Sequence, residues 1–416
     1  MLKQTMLKAI PATLALLLAC AGASADEEGL HGYFRVGAGS TSSNSGGPQG
    51  CFGLGGNTMK YRLGNECDAH VEGGYTGELA QAEGVRFVGT VWVEAHANNS
   101  EFGDAKVIMN KAYVEAHGLA VLNGGTAWIG KRYYYRPDIH MLDMQYINMN
   151  GTGAGVDKVK VGPGKFSYAF FKDNDLNTRD TRGWMSTTSA TRQNFIYGDI
   201  PVSKDGSIDV AATFISAQGK ALDSNKHDGW QLSVFHRQDK VLGGVNTVGV
   251  QYGEGPAVGP GLGRMGSSGS TLLTPDSTRM RVLDHLWIQP TWNFGMEAVV
   301  LMQRDKSDAA GSSTWTTLGV RPVYALSRNV KLALEIGTDR VTVPNGATQR
   351  LTKFTFAPSL SAGPGLWSRP ELRAFVTYGR WNDAARAAVN AANNGGPIYN
   401  GGNSGTSYGF QVESWF

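Results

Sequence analysis

Charge, cysteine and long apolar runs are all scarce in this 416-residue chain. Only 18% of its residues are charged, and 38 basic side chains nearly cancel 35 acidic ones. That balance provides no basic field, so no nucleic-acid partner is expected. Beyond the N-terminus no stretch is apolar enough for a membrane-spanning helix. The three cysteines, Cys20, Cys51 and Cys67, have no histidine at finger spacing, which argues against zinc. No nucleophile motif stands out, so neither an enzyme nor a cofactor is expected. No Gly-X-Y period runs through the chain, which excludes collagen.

What is abundant is glycine and aromatic side chains. The 56 glycines are roughly twice the usual share. Aromatic and β-branched residues recur throughout, which excludes a disordered chain and points to an all-β one. Lys3 and Lys8 precede an apolar stretch from Ala9 to about Ala23, and Ala23-Ser24-Ala25 has a small-x-small pattern. This predicts a signal peptide over 1–25, removed on export together with Cys20. Cys51 and Cys67 remain, an even pair in an oxidising compartment and therefore an expected disulfide. Closing a loop of that length contributes about 3 kcal/mol in the chain-entropy picture.

The strands have two unlike faces. In the closing segment YGFQVESWF, Tyr408, Phe410, Val412 and Phe416 share one face, with Ser414 its only polar member. Gly409, Gln411, Glu413 and Trp415 take the other. In LHGYFRVGA, Leu30, Phe34, Val36 and Ala38 oppose His31, Tyr33 and Arg35. Val330, Leu332, Leu334 and Ile336 likewise alternate with Lys331 and Glu335. A soluble sandwich also alternates. Here, however, the apolar face ends in aromatics near strand termini, where an interfacial girdle would sit, and the other mixes charge with aromatics. Spanning strands with alternating short turns and long loops use about 22 residues each, so 26–416 accommodates roughly 18 antiparallel strands in a single transmembrane β-barrel. TSSNSGGPQG, GEGPAVGPGLGRMGSSGS and NAANNGGPIYNGGNSG read as long external loops.

The segment KRYYYRPDIHMLDMQYINMNGTGAG crowds Arg136, Asp138 and Asp143 among tyrosines. Inside a barrel, such forked donors and carboxylate acceptors suit vicinal hydroxyls. Asp138, His140 and Asp143 could instead imitate a metal or acid–base cluster, or the segment could be a solvated loop with structural ion pairs.

With HGYFRVGAG, KYRLGNEC below Cys51, GKRYYYRPDIHMLD with its GTGAG tail, RVLDH, GVRP, LWSRP and the final ESWF, the chain resembles the maltoporin (LamB-type) family of outer-membrane sugar porins. The resemblance implies an all-β transmembrane barrel with an inward-folded third loop, a homotrimer in the bacterial outer membrane, contact with membrane lipid, and maltodextrin or related oligosaccharide substrates. It also implies a lumenal track of aromatics at Tyr33, Trp367 and Trp415, with Phe102 reaching into a neighbour's pore. His70 stands where the family has tyrosine, and Val245 where it has phenylalanine at the exit. The polar track is implied at Arg35, Arg62, Glu72, Arg136, Asp138 and Asp143. Asn110 replaces an arginine and Gln145 a constriction tyrosine, for which Tyr146 would compensate only by turning inward. These departures predict a weakened sugar track. The competing readings are a general diffusion porin of the same fold and a secreted β-sandwich lectin or glycosidase.

Overall fold

The computed structural model describes residues 28–42, 47–54, 60–98, 101–103, 105–174, 187–220, 226–258, 265–308, 311–391, 398–399 and 401–416. The predicted signal peptide, with Cys20, lies outside them. Eighteen antiparallel strands form one sheet. The first strand, Gly29–Thr41, pairs with the second, Ala69–Ala82, and also with the last, Ser404–Trp415, so the sheet closes on itself. Closure leaves no unpaired edge, which a strand in hydrocarbon requires.

The two faces found in the sequence are the outside and inside of this barrel. On strand Val330–Thr342, Leu334 and Ile336 are exposed, whereas Lys331 and Glu335 are buried. On Glu371–Trp381, Leu372, Val376 and Tyr378 point outward and Arg373 and Thr377 inward. On the last strand Tyr408 and Phe410 point outward and Gln411 and Glu413 inward. Burial is thus inverted relative to a soluble protein: charges are inside and large apolar side chains outside, as lipid requires.

At the end where the first strand begins and the last strand finishes, several strand pairs are joined by tight turns. Glu83-Gly84 and Leu242-Gly243 have positive φ at both residues, the geometry that matches strand twist in a two-residue hairpin. The opposite end carries the longer connections, including the six-residue helix Arg386–Ala391 in the final one.

Two of those longer connections run into the barrel. The third, residues 133–150, buries Tyr134, Ile139, Met141, Leu142 and Met149 against Trp128, Phe171, Leu283 and Val299 of the inner wall. Wall side chains fix its backbone. Arg192 donates to the carbonyls of Met149 and Asn150 at 3.0 and 2.6 Å. Gln251 and Arg281 donate to the carbonyl of Tyr146 at 3.0 and 2.8 Å, and Glu297 accepts the Met141 N–H at 3.0 Å. The first connection lies beside it, with the N–H groups of Lys60 and Arg62 donating to Leu142 and Met141. Cys51 and Cys67 of this connection are bridged, with Cα atoms 6.0 Å apart. Its Tyr61 ring rests on Gly319 and Gly337, which face each other across two strands. A Cβ at either glycine would stand 2.1 Å from the ring.

Candidate functional site

A row of rings follows the inner wall toward the short-turn mouth. His70 and Tyr33 have ring centroids 5.6 Å apart. Tyr33 is the ladder partner of Trp415. His140, on a single turn of the inward loop, stands edge-on to Trp415 at 6.0 Å and to Trp367 at 5.2 Å. Trp367 in turn meets Trp287 at 6.1 Å. Tyr33, His70, Trp415 and Trp367 are therefore brought together from four separate segments. Trp367 belongs to the connection between Gln349–Ser361 and Glu371–Trp381, at the short-turn end. Phe102 lies at the other end, outside this row, between the third and fourth strands (Val85–Ala97 and Lys106–His117).

An ionic chain accompanies the rings. Arg35 contacts Glu66 at 2.7 Å and Asp68 at 2.6 Å. Arg62 contacts Glu66 at 2.8 Å and Glu413 at 3.0 Å. Glu413 also accepts from the Tyr33 hydroxyl at 3.1 Å and from Arg369 at 2.9 Å, and is bridged by Arg373. His140 Nε2 lies 3.4 Å from the same carboxylate. Arg321 approaches His140 Nδ1 at 3.1 Å. Because an arginine can only donate, Nδ1 accepts, and the neutral ring carries its proton on Nε2, facing Glu413. Burial and the Arg62 charge hold the His140 pKa below its usual value.

The loop carboxylates differ in exposure. Asp143 stands 3.9 Å from Arg62 and 3.8 Å from Lys60, with its side chain 43% exposed. Burial opposes its ionisation, but these two cations outweigh it and lower the pKa to about 2. Asp68 is likewise held below the usual carboxylate range, burial being outweighed by Lys60 and Arg35. Asp138 is exposed to the lumen. The Arg136 guanidinium lies 3.5 Å from the centre of the Tyr133 ring. Arg35 and Arg62 are buried in their ion pairs, so Arg136, Asp138 and Asp143 are the more accessible polar groups.

Several departures noted in the sequence acquire a physical setting. His70 sits between two carboxylates, with Nδ1 3.6 Å from Glu94 and Nε2 4.0 Å from Glu72. Glu72 also accepts from Trp92 at 3.1 Å and Tyr133 at 3.0 Å. Asn110 donates to Glu94 and is the extra residue of a β-bulge, since Trp92 pairs with Lys111 but Val93 with Met109. The bulge brings Asn110 and Lys111 both to buried positions, and the Lys111 ammonium lies 4.0 Å from the centre of the Trp92 ring. A cation thus stands one residue from the position where the resemblance implied arginine. Gln145 pairs with Asp138 inside the inward loop and accepts from Asn148. Tyr146 is buried, with its ring 5.1 Å from Phe235, so turning toward the lumen would mean leaving that packing. Val245 is buried on the inner wall.

Sequence reasoning missed Glu66, Asp68, Arg369, Arg373, Lys111 and Trp287 as members of this region. The charge within LWSRP was the available signal for Arg369. A bulge and a cross-strand neighbour leave no such signal.

A closed barrel with a lipid-compatible outside, a charged lumen and its own loops folded into the bore is a membrane channel. The sequence matches the LamB porin family over residues 29–416, and the chain belongs to that family. It is thus a porin of the bacterial outer membrane, a channel and not an enzyme. Among solved structures it is similar to OccAB1 of Acinetobacter baumannii, with 11% identity, 93% of this chain and 96% of the other covered, and a TM-score of 0.49. It is also similar to OmpF of Salmonella typhi, with 10% identity, coverage of 93% and 97%, and a TM-score of 0.48. An anion-selective porin from Comamonas acidovorans gives 10% identity, coverage of 93% and 99%, and a TM-score of 0.45.

Proposed function

We propose that the channel conducts maltodextrins or closely related glucosyl oligosaccharides, which slide along the lumenal rings while ionic groups exchange hydrogen bonds with their hydroxyls. The observation that carries this reading is the row His70, Tyr33, Trp415, His140 and Trp367, flanked by the Arg62–Glu413 ion chain. In it Tyr33 and Trp415 are ladder partners, and the other neighbours are in ring contact. A glucosyl ring has an apolar face and a hydroxyl rim, and such a lining offers a partner to each. One aromatic contact contributes on the order of 0.5–1.5 kcal/mol. A series of similar contacts holds a sugar without a deep trap, which conduction requires. In this reading residues 1–25 direct export, and the assembled form is a homotrimer in which Phe102 reaches a neighbouring pore.

The decisive measurement is planar-bilayer conductance with glucose, sucrose and maltodextrins of increasing length. Maltodextrins are expected to block the open channel reversibly, more tightly as they lengthen, and Trp415→Ala to abolish the block. A current unaffected by every sugar would leave a general diffusion pore.

A further inference from the structure

Trp287 lies on the strand Thr278–Thr291, outside every position that the family resemblance marked. Its ladder partner on one side is Val245, the residue where an exit aromatic is missing. On the other side it pairs with Glu297. The Trp287 ring meets Trp367 at 6.1 Å and an interplanar angle of 83°. Both tryptophans remain half-buried while packing on a small cluster that joins Leu63 of the first connection to Val323 and Phe375 of the wall. Hydrogen-bonding groups stand alongside, as they do at Trp415. Glu297 contacts Arg321 at 3.5 Å and His285 at 3.1 Å, and Arg321 reaches His140. The row of rings therefore ends beyond Trp367, one strand over from Val245.

We infer that Trp287 is a glucosyl-stacking subsite at the short-turn mouth, replacing from the neighbouring strand the ring that Val245 lacks. The inference rests on the maltodextrin reading above. It changes what that reading implies for this chain, because the track is displaced at its end rather than cut short. Trp367 offers the preceding platform, and a chain leaving it meets the Trp287 ring before the mouth. Such an end subsite is filled only by a sugar long enough to span the platforms before it. Its contribution therefore grows with chain length, which a purely structural tryptophan would not produce.

The test compares wild type, Trp287→Leu, Trp287→Phe and Trp415→Ala in planar bilayers with maltotriose and maltoheptaose. Sugar-free conductance reports whether each pore is intact, and Trp287→Phe retains a ring if the leucine variant fails to assemble. Trp287→Leu is expected to raise the maltoheptaose dissociation constant roughly threefold to tenfold, the range of one aromatic contact. Maltotriose should change little, and Trp287→Phe should recover most of the loss. An unchanged Trp287→Leu beside a block abolished by Trp415→Ala overturns this inference alone. An equal loss for both sugar lengths also overturns it, since that is the mark of general distortion. Absence of any block in wild type overturns both this inference and the maltodextrin reading.

Discussion

Glu413 holds more of the site together than any residue the sequence singled out. It is fully buried and engaged by Arg62 from the first connection, Arg369 from a short-turn connection, Arg373 from a strand and Tyr33 from the first strand. Removing one partner of a buried charge pair costs about 3–5 kcal/mol, because the remaining charges lose their compensation. Glu413→Gln is therefore expected to loosen the first and third connections together. Bilayer recordings should show a noisier open state and weaker sugar block. His140 gives a pH dependence of determined sign. Its folded pKa is lowered from 6.5, so the unfolded chain binds the proton more readily. Stability from this group is present above that value and declines as the pH falls below it. Thermal unfolding between pH 7.5 and 5 should decline less steeply in His140→Phe than in wild type. The Asp143 pKa is also lowered, to about 2, and because the group is an acid it keeps its charge through that whole range.

At the scale of elements, the two inner connections are docked on the wall by apolar burial together with wall donors to their backbone carbonyls. The third buries a strip of apolar side chains on the wall and receives donors from Arg192, Gln251 and Arg281. The first seats the Tyr61 ring above two glycines, with its hydroxyl hydrogen-bonded to Thr317 at 2.6 Å, and buries Phe52 beside Trp381. It receives donors from Lys353, Thr355 and Thr377 at the carbonyls of Leu63 and Gly64. The Cys51–Cys67 bridge shortens the chain that must be ordered there. Gly337→Ala puts a methyl group into the Tyr61 ring and is expected to expel that connection from the bore. Overpacking of this kind typically costs about 1–3 kcal/mol. Because the displaced segment carries Arg62, single-channel conductance should rise while sugar block weakens. Conductance unchanged from wild type would show that the ring is accommodated elsewhere.

At the scale of the whole molecule, the barrel is stable because its solvent is inverted. Leu334 and Ile336 face outward while Glu335 between them is wholly buried. An arginine on the lipid face near the bilayer midplane costs about 2–4 kcal/mol. Leu334→Arg is expected to lose that much in a urea titration in phospholipid vesicles. An outward residue near either mouth should tolerate the same change with little loss.

The all-β class, the strand alternation, the strand number and the identity of the two faces were legible in the sequence. They follow from a period of two residues and from chain length, which are properties of neighbouring positions. Alternation put Tyr33, Arg35 and Trp415 on the polar strand face, and the carboxylates of the inward loop stood out by their crowding with Arg136 among tyrosines. Arg62, and a shared track for all of them, came only through family resemblance. The tertiary structure decided which of these side chains meet. Residues near 33, 62, 140, 369 and 413 converge on one carboxylate because the sheet closes and two connections fold into its bore. Local pattern also could not show that a bulge carries Lys111 into the interior, that Tyr146 is spent on packing, or that Trp287 stands beside Val245. Each depends on strand register, which is fixed by pairing between distant segments and leaves no trace in the order of adjacent residues.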